Sequence, residues 1–319
     1  MRPRWPGLLL CGVLWTAICV HFPTMAQADD LDDIIASESR LPDAPTVKTA
    51  EETCRMIGNK LGSVGTLECL RSGLVASGGV SVEGTPILFK EYPPLPARQP
   101  QARVLLIGGI HGDEYSSVSV IFKWMKVLDR YHSGLFHWRI APLTNPDGLL
   151  REKSQRTNAR GVDLNRNFPT RNWENESEDY WVRKTHRDAR RYPGPKPLSE
   201  PESRWIHDQI RAFQPNVIVS VHAPFGLLDF DGAPTVPPKK LGHLYLSVLG
   251  TYPGSLGRFA GILEGVPVVT IELSYAGIMP TRTQTSRIWT DLVHWMRHNV
   301  EDHDGPSRLP SQPPKPRSR

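Results

Sequence analysis

Short apolar runs alternate along this chain with segments in which apolar residues recur every three or four positions. Apolar runs bounded by turn residues predict buried strands, and here they lie at 86–92, 103–107, 137–143, 217–221 and 268–273. Helical spacing predicts amphipathic helices, here at 116–128, 199–214, 253–263 and 283–297. This alternation predicts an α/β fold: a mixed, mostly parallel twisted sheet with helices on both faces.

One long segment departs from this alternation. Residues 144–197 are polar and rich in Asn, Arg, Asp and Pro, which at this length is typical of a functional or disordered connection. After it, Ser199 and Glu202 have the spacing of a capping box. We therefore predict that these two side chains start the helix at 199–214.

The N-terminus has the three parts of a secretory signal peptide. Arg2 and Arg4 form a basic start, residues 7–20 form an apolar core too short to cross a bilayer, and A-Q-A at 26–28 is a cleavage site. We predict that residues 1–28 are removed and that the mature protein is exported to the periplasm without a stable membrane anchor, with the extracellular space as the alternative location. An uncleaved N-terminal anchor is the alternative.

The formal charge of +5 comes from the two ends of the chain. Residues 1–28 carry +2 and the Pro-, Ser- and Arg-rich tail at 305–319 carries +4, which leaves −1 for residues 29–304. A body without basic excess does not match a phosphate backbone, so a nucleic-acid partner is excluded. We predict a disordered tail at 305–319, an N-terminal leader at 29–80 and a main domain at 81–304. The oligomeric state stays open.

Two cysteines, Cys54 and Cys69, remain after removal of the signal peptide. In an oxidising, exported setting an isolated pair predicts a disulfide rather than a metal site. Closing a loop this short would stabilise the fold by about 3 kcal/mol in the chain-entropy model. Two free thiols are the alternative.

The strand at 103–107 leads into the sequence G-G-I-H-G-D-E at 108–114. Glycine permits a sharp backbone turn at the strand's exit, where a Cβ would clash. This exit presents His111 and Glu114 together. An imidazole nitrogen and a carboxylate oxygen suit Zn²⁺, and one further ligand would leave a fourth position open, as in catalytic zinc sites.

His222 and Glu272 lie at the ends of two other apolar strands, 217–221 and 268–273. In open α/β sheets the carboxyl ends of the strands border the ligand crevice, so we expect both side chains near the H-x-x-E pair. His222 is then the candidate third zinc ligand, and Glu272 is the candidate base. The alternative interpretations are a satisfied core histidine and a salt-bridged structural acid.

A second motif, R-T-N-A-R-G-V-D-L-N-R-N-F-P at 156–169, lies in the polar segment. The rigid fork of arginine suits bidentate binding of a carboxylate. Asn165 and Arg166 together could therefore grip a substrate carboxylate, and Arg156 could stabilise a developing oxyanion. Without the zinc motif, a solvated structural loop would be the preferred interpretation.

These motifs resemble the M14 zinc carboxypeptidase family, and within it the murein peptide amidase branch, which cuts the γ-D-glutamyl–diaminopimelate bond of peptidoglycan peptides. The resemblance covers roughly residues 80–300 and includes four further runs. They are G-P-K-P-L-S-E-P-E at 194–202, S-V-H-A-P at 220–224, Y-P-G-S-L-G at 252–257 and T-I-E-L at 270–273.

The resemblance implies an enzyme with one Zn²⁺ per chain that hydrolyses an amide bond of peptidoglycan stem peptides with activated water. It assigns seven residues to one site: the zinc ligands His111, Glu114 and His222, the general base Glu272, the carbonyl-polarising Arg156, and the carboxylate clamp of Asn165 and Arg166.

This chain departs from the family pattern in two places. Counted from Gly254 and Ser255, the family's substrate-capping tyrosine falls near Ala260, so no tyrosine is assigned that role. Ala223 follows His222 where related amidases are expected to have a polar residue. The sequence therefore leaves open which residue hydrogen-bonds to the outer ring nitrogen of this zinc ligand.

Three other functions are compatible with the motifs. The first is a carboxypeptidase that trims exported peptides, and the second is a desuccinylase-like deacylase, because G-x-H-G-D-E recurs there. The third is a non-catalytic, zinc-dependent peptidoglycan-binding protein. The preferred length of the stem peptide also stays open.

Overall fold

A sheet of seven strands runs through the part of the chain that this computed structural model describes, residues 46–96, 99–232 and 235–300. Its strands are β1 Val75–Val80, β2 Pro86–Tyr92, β3 Ala102–Gly108, β4 Phe136–Ala141, β5 Val217–His222, β6 Leu227–Asp231 and β9 Val268–Glu272. The two remaining strands, β7 Lys240–Leu241 and β8 Leu244–Tyr245, form a separate two-stranded sheet. The spatial order is β1-β2-β4-β3-β5-β9-β6. The four central strands, β4, β3, β5 and β9, are parallel, and the outer strands pair antiparallel.

Helices cover both faces of the sheet. They are α1 Ala50–Lys60, α2 Thr66–Leu70, α3 Tyr115–Tyr131, α4 Pro146–Leu150, α5 Trp173–Arg183, α6 Pro201–Phe213, a π-helix Gly257–Leu263 and α7 Arg282–Asn299. Alternate residues of β3 enter opposite cores: Val104 packs with α3 and α7, whereas Leu105 packs with α6 and the π-helix. The predicted α/β fold with a mixed, centrally parallel sheet is confirmed.

The predicted capping box of α6 is wrong. The helix begins at Pro201, and its N-cap residue, Glu200, makes no side-chain capping hydrogen bond. The hydroxyl of Ser199 donates to the carboxylate of Glu200, and the buried carboxylate of Glu202 accepts from Asn158 of the polar segment. Both groups that a capping box would use are therefore engaged in other hydrogen bonds.

The N-terminal helices pack against the main domain. Ile57 of α1 and the two cysteines share a hydrophobic cluster with Phe122 of α3, and β1 pairs with β2. A disulfide joins Cys54 to Cys69, with a Cα–Cα distance of 5.3 Å. The described part of the 29–80 leader thus belongs to the same compact unit as the main domain.

Two predicted segments, the signal peptide at 1–28 and the tail at 305–319, lie outside the described residues. Within the described ranges, no helix has the length and apolar character needed to cross a membrane.

Replacing both cysteines with alanine, C54A/C69A, is expected to lower the free energy of unfolding by about 3 kcal/mol. The bridge spans 15 residues of sequence, and it restricts the unfolded chain. Urea denaturation with and without a reducing agent measures the effect. The reductant should destabilise the unsubstituted protein and leave the double variant unchanged, whereas equal stability of both proteins would show that the bridge contributes nothing.

Candidate functional site

The first two predicted metal ligands are positioned by the turn after β3. Gly109 has a φ of 58°, in the left-handed region that favours glycine, so the chain leaves the sheet sharply. Gly112 lies against the backbone of Gly148, where an added Cβ would come within 2.2 Å of the carbonyl carbon. This close approach holds His111 and Glu114 at the carboxyl end of β3, directly before α3.

His222 ends β5, the strand beside β3, and joins the pair. Its Nδ1 lies 3.2 Å from Oε2 of Glu114 and 3.2 Å from Nδ1 of His111. Nδ1 of His111 lies 2.8 Å from Oε1 of Glu114. All three side chains are buried, and one ligand atom from each lies within 4.8 Å of the others. The structure therefore brings the three predicted ligands to a single point.

The outer nitrogen of each imidazole has a polar partner. Nε2 of His111 donates to Oδ1 of Asp163 at 3.1 Å, and Nε2 of His222 lies 2.9 Å from Oγ of Ser220, a hydroxyl that can accept its proton. A proton on each Nε2 leaves both Nδ1 lone pairs facing Glu114. Two imidazole nitrogens and a carboxylate that face one another in a buried space fit a divalent cation, and this donor set suits Zn²⁺.

The outer support of His222 thus comes from the residue two positions before it. Ser220 takes the role that the sequence left open at position 223. The backbone N–H of Ala223 donates instead to Oε2 of Glu114, at 3.2 Å. A polar side chain at position 223 is therefore not needed to position the imidazole of His222 or the carboxylate of Glu114.

Two buried carboxylates keep their negative charge beside the imidazoles. Burial alone would raise the pKa of Glu114, but the facing His111 and His222 lower it below its ordinary value. Burial acts on Asp163 in the same direction, and there Arg156 and His111 hold the pKa well below its ordinary value. Both groups are therefore ionised at neutral pH, which is the form that binds a cation.

Glu272 ends β9, where it pairs in register with His222. It lies beside the three converging ligands without belonging to that group. Its side chain is buried, and its Oε2 lies 3.5 Å from the backbone N–H of Phe225. Burial raises the pKa of Glu272; His222 opposes this shift and the charge of Glu114 adds to it. A buried carboxyl in this position can exchange protons with a molecule bound in the cavity.

Arg156 is linked to the metal ligands through a shared carboxylate. Its Nε donates to Oδ2 of Asp163 at 2.9 Å, while the other oxygen of Asp163 accepts from His111. Its Nη1 lies 3.7 Å from Oε1 of Glu114. The guanidinium is thereby fixed at the edge of the metal site, as an oxyanion partner requires.

Arg166 lines the same cavity. Its guanidinium lies 4.5 Å from the ring centroid of Tyr252, and its Nη1 donates to the carbonyl of Asn165. Its Nε is buried and has no hydrogen-bond partner among the residues that the structure describes. Burial lowers the pKa of Arg166, and the positive charges of Arg156 and Arg191 add to this effect. A positive group with an unsatisfied donor fits an incoming carboxylate.

Counting along the sequence missed the tyrosine of this site. Tyr252, which precedes Gly254, lines the cavity, whereas Ala260 packs in the hydrophobic core. The loop that carries Tyr252 is tied to the arginine motif, because Oδ1 of Asn165 accepts from the backbone N–H of Leu256 at 2.8 Å. Asn165 thus has a structural contact in addition to the substrate contact predicted for it.

All seven predicted site residues line one cavity of about 350 Å³. The same cavity is lined by Asp229 and Asp231 of β6, which the sequence reasoning did not select. Their alternation with Leu228 and Phe230 is the pattern of a half-buried strand, and it could have predicted β6. A separate surface hollow of about 590 Å³, beside α5, contains none of the seven residues.

Comparison with known proteins agrees with this geometry. The sequence profile of the zinc carboxypeptidase family, Peptidase M14, matches residues 73–228. Murein peptide amidase A of Vibrio campbellii is 33% identical over 203 residues, which cover 61% of this chain and 77% of that protein. Murein peptide amidase A of Escherichia coli K12 is 36% identical over 153 residues, covering 47% of this chain. The matched region spans 60% of the length of the Escherichia coli relative.

The solved structure of an insect carboxypeptidase gives the same fold. Carboxypeptidase A from Helicoverpa armigera superposes with a TM-score of 0.55 at 18% identity, covering 84% of this chain and 79% of that chain. The murein-tripeptide amidase from Escherichia coli O157 superposes with a TM-score of 0.48 at 29% identity, covering 68% of this chain and 89% of that chain. By the matched profile and the extent of the identity to the Vibrio relative, this chain belongs to the M14 zinc carboxypeptidase family.

Proposed function

We propose that this chain is a zinc-dependent amidase that hydrolyses the γ-D-glutamyl–diaminopimelate bond of peptidoglycan stem peptides. One observation carries the proposal: a buried His-Glu-His group, the buried carboxyl of Glu272 and the side chains of Arg156 and Arg166 line one cavity. Relatives that are 33% and 36% identical are named murein peptide amidase A, which supports an amide bond of murein peptides as the target.

His111, Glu114 and His222 would hold the Zn²⁺. When bound there, Zn²⁺ supplies Lewis-acid chemistry that makes water a nucleophile near neutral pH and polarises a carbonyl oxygen. Asp163 keeps His111 in the tautomer that presents Nδ1, and the hydroxyl of Ser220 can accept the Nε2 proton of His222 in the same tautomer.

Glu272 acts as the general base and then as the general acid. Its carboxylate accepts a proton from the attacking water while the water oxygen forms a bond to the amide carbon. Arg156 donates to the carbonyl oxygen as negative charge develops on it. Glu272 then returns the proton to the nitrogen as the C–N bond breaks, which yields a free D-glutamyl γ-carboxylate and a free amine on diaminopimelate.

Arg166 and Asn165 fix the orientation of the substrate. The guanidinium of Arg166, which lines the cavity, binds the free carboxylate on the diaminopimelate side of the bond. Tyr252 holds the guanidinium in place by stacking against it. A carboxylate bound here restricts cleavage to the bond next to a residue with a free carboxyl group.

Arg166→Gln is expected to lower kcat/KM for a carboxylate-terminated substrate by about 10- to 100-fold, because a charge-assisted hydrogen bond is lost. The measurement compares this substrate with its C-terminal amide on the same enzyme preparation. The ratio of the two rates should fall towards one in the variant. The matched control is Arg183→Gln on the exposed face of α5. Equal losses for both substrates would contradict the assignment of Arg166 to the carboxylate.

The function is tested by the products of defined peptides. L-Ala-γ-D-Glu-diaminopimelate, an ordinary peptide with a free C-terminus and a small acyl-amino acid are incubated side by side, with and without a chelator, and analysed by mass spectrometry. Release of diaminopimelate and L-Ala-D-Glu in the absence of the chelator is the expected result. Cleavage of only the ordinary peptide would indicate a carboxypeptidase, and cleavage of only the acyl-amino acid would indicate a deacylase. Binding to sacculi without release of peptide would indicate a non-catalytic protein.

We further propose that the enzyme acts in the periplasm without a stable membrane anchor. The signal-like sequence at 1–28 and the disulfide between Cys54 and Cys69 support this compartment. Cell fractionation followed by N-terminal sequencing tests it. A mature chain that starts at Asp29 in the periplasmic fraction is expected, whereas an intact N-terminus in the cytoplasm would contradict the proposal.

A further inference from the structure

Two carboxylates lie on the floor of the cavity, on the edge strand β6. In the antiparallel pairing of β6 with β9, Leu227 lies opposite Glu272. Further along β6, Asp229 lies opposite Thr270 and Asp231 lies opposite Val268. Residues directly opposite each other have their side chains on the same face of the sheet. Asp229 and Asp231 therefore share the face of Glu272, and each two-residue step along the strand covers about 7 Å.

No cation of the described residues neutralises these carboxylates. Asp229 is 5% exposed, and its Oδ1 accepts a hydrogen bond from the backbone N–H of Leu249. Asp231 is 8% exposed, and within residues 46–96, 99–232 and 235–300 it has neither a hydrogen-bond partner nor an ion pair for its side chain. A buried carboxylate without a cationic partner is costly for a fold, so a cation from outside the chain would stabilise both aspartates.

The element packed against Asp231 offers it no side chain. At Gly257, at the start of the π-helix, a Cβ would come within 1.9 Å of Oδ2 of Asp231, and at Gly261 it would meet the backbone of the same residue. Glycine at both positions lets the helix approach while leaving the carboxylate facing the cavity. Burial and the neighbouring Asp229 raise the pKa of Asp231 to about 7, as expected for an acid without a cationic partner.

We propose that Asp229 and Asp231 form a cation subsite that selects substrates whose residue on the amine side of the scissile bond is a diamino acid. Asp229 contacts the side-chain ammonium, and Asp231 strengthens the negative potential below it. The inference rests on the proposed function, since Glu272 and Arg166 define where that residue lies. In the proposed arrangement the backbone carboxylate of that residue lies at Arg166 and its side chain extends towards Asp229, since Arg166, Glu272 and Asp229 line one cavity.

The test compares two dipeptides that differ in the ammonium alone, γ-D-Glu-Lys and γ-D-Glu-norleucine. The unsubstituted zinc enzyme should hydrolyse the lysine compound with a kcat/KM about 10- to 100-fold higher, because an ammonium–carboxylate hydrogen bond is charge-assisted. Asp229→Asn should reduce this ratio by about tenfold or more, and Asp231→Asn should reduce it by a smaller factor. Asp208→Asn, an exposed acid on α6, is the matched control and should leave the ratio unchanged. A ratio measured on one preparation does not depend on the fraction of folded enzyme.

A binding measurement separates this inference from the proposed function. Calorimetry on the zinc-loaded Glu272→Gln protein gives the affinity for both dipeptides, and the same titration is made with Glu272→Gln/Asp229→Asn. Preferential binding of the lysine compound that disappears in the double variant supports the cation subsite even if the unsubstituted enzyme cleaves neither dipeptide. If the enzyme cleaves the two dipeptides equally well, or binds them equally tightly, the proposed cation subsite is contradicted. The proposed amidase function is not contradicted by that result.

Discussion

Glu272→Gln is expected to lower kcat by about 10²- to 10⁴-fold, the range typical of a lost general acid–base group. Glutamine has the same shape as glutamate and cannot accept the proton of the attacking water. Because Glu272 lies outside the His111–Glu114–His222 group, the variant should still bind one Zn²⁺ per chain. Steady-state kinetics together with elemental analysis of the purified protein measure both quantities.

The matched control for this variant is Glu264→Gln. Glu264 pairs with Arg211 outside the cavity, so its replacement removes a carboxylate without touching the site. It should retain the kcat of the unsubstituted enzyme. A fully active Glu272→Gln enzyme would remove Glu272 as the base, and loss of zinc from that variant would give it a role in metal binding.

Removal of the metal is expected to abolish hydrolysis completely and reversibly. The two Nδ1 atoms and the carboxylate of Glu114 converge within 4.8 Å. In the described ranges, no other three His, Cys, Asp or Glu side chains bring their ligand atoms this close together. Stoichiometric Zn²⁺ added after dialysis against a chelator should restore the rate. Mg²⁺ should not restore it, because Mg²⁺ prefers oxygen ligands.

A second readout of the metal does not depend on activity. A ligand that binds the folded protein alone raises its stability, so the zinc-loaded protein should unfold at a higher temperature than the chelated one. In His222→Ala this difference should largely disappear, and added zinc should not restore hydrolysis. An enzyme that keeps its rate after complete removal of the metal would contradict the whole assignment.

The central fold and the metal ligands were accessible from the sequence because their signals are local. The apolar run of β3 and the glycines after it predict a sharp strand exit, and His111 and Glu114 follow within six residues of the strand's end. His222 and Glu272 are distant in sequence from this pair. They could be added since the carboxyl ends of parallel strands meet at one edge of a sheet.

Other parts of the site depend on packing that no local pattern encodes. Asp163 stands inside a recognised motif, yet its contacts with His111 and Arg156 are visible only in three dimensions. Tyr252 was missed because spacing counted from Gly254 does not reveal which side of the loop faces the cavity. The capping box at Ser199 failed because Asn158, from a distant segment, binds the buried carboxylate of Glu202.

The edge strand β6 was missed for a different reason. Two aspartates within five residues lower the apolar signal that identifies a strand, although the alternation with Leu228 and Phe230 is present. Acidic residues at inward-facing positions contradict the usual preference for apolar side chains there. Such a conflict between a local pattern and a buried position is common at functional sites, which is why this strand carries the most specific prediction about the substrate.

One carboxylate, that of Asp163, is bound on one side by His111, a proposed metal ligand, and on the other by Arg156, the arginine proposed to face the reacting carbonyl. A substitution at this position would disturb metal retention and charge stabilisation together, even though Asp163 touches neither the ion nor the substrate. Mutational scans that score a single trait would therefore misattribute its effect. Evolution of this enzyme can adjust metal affinity and catalytic rate separately only by changes elsewhere in the chain.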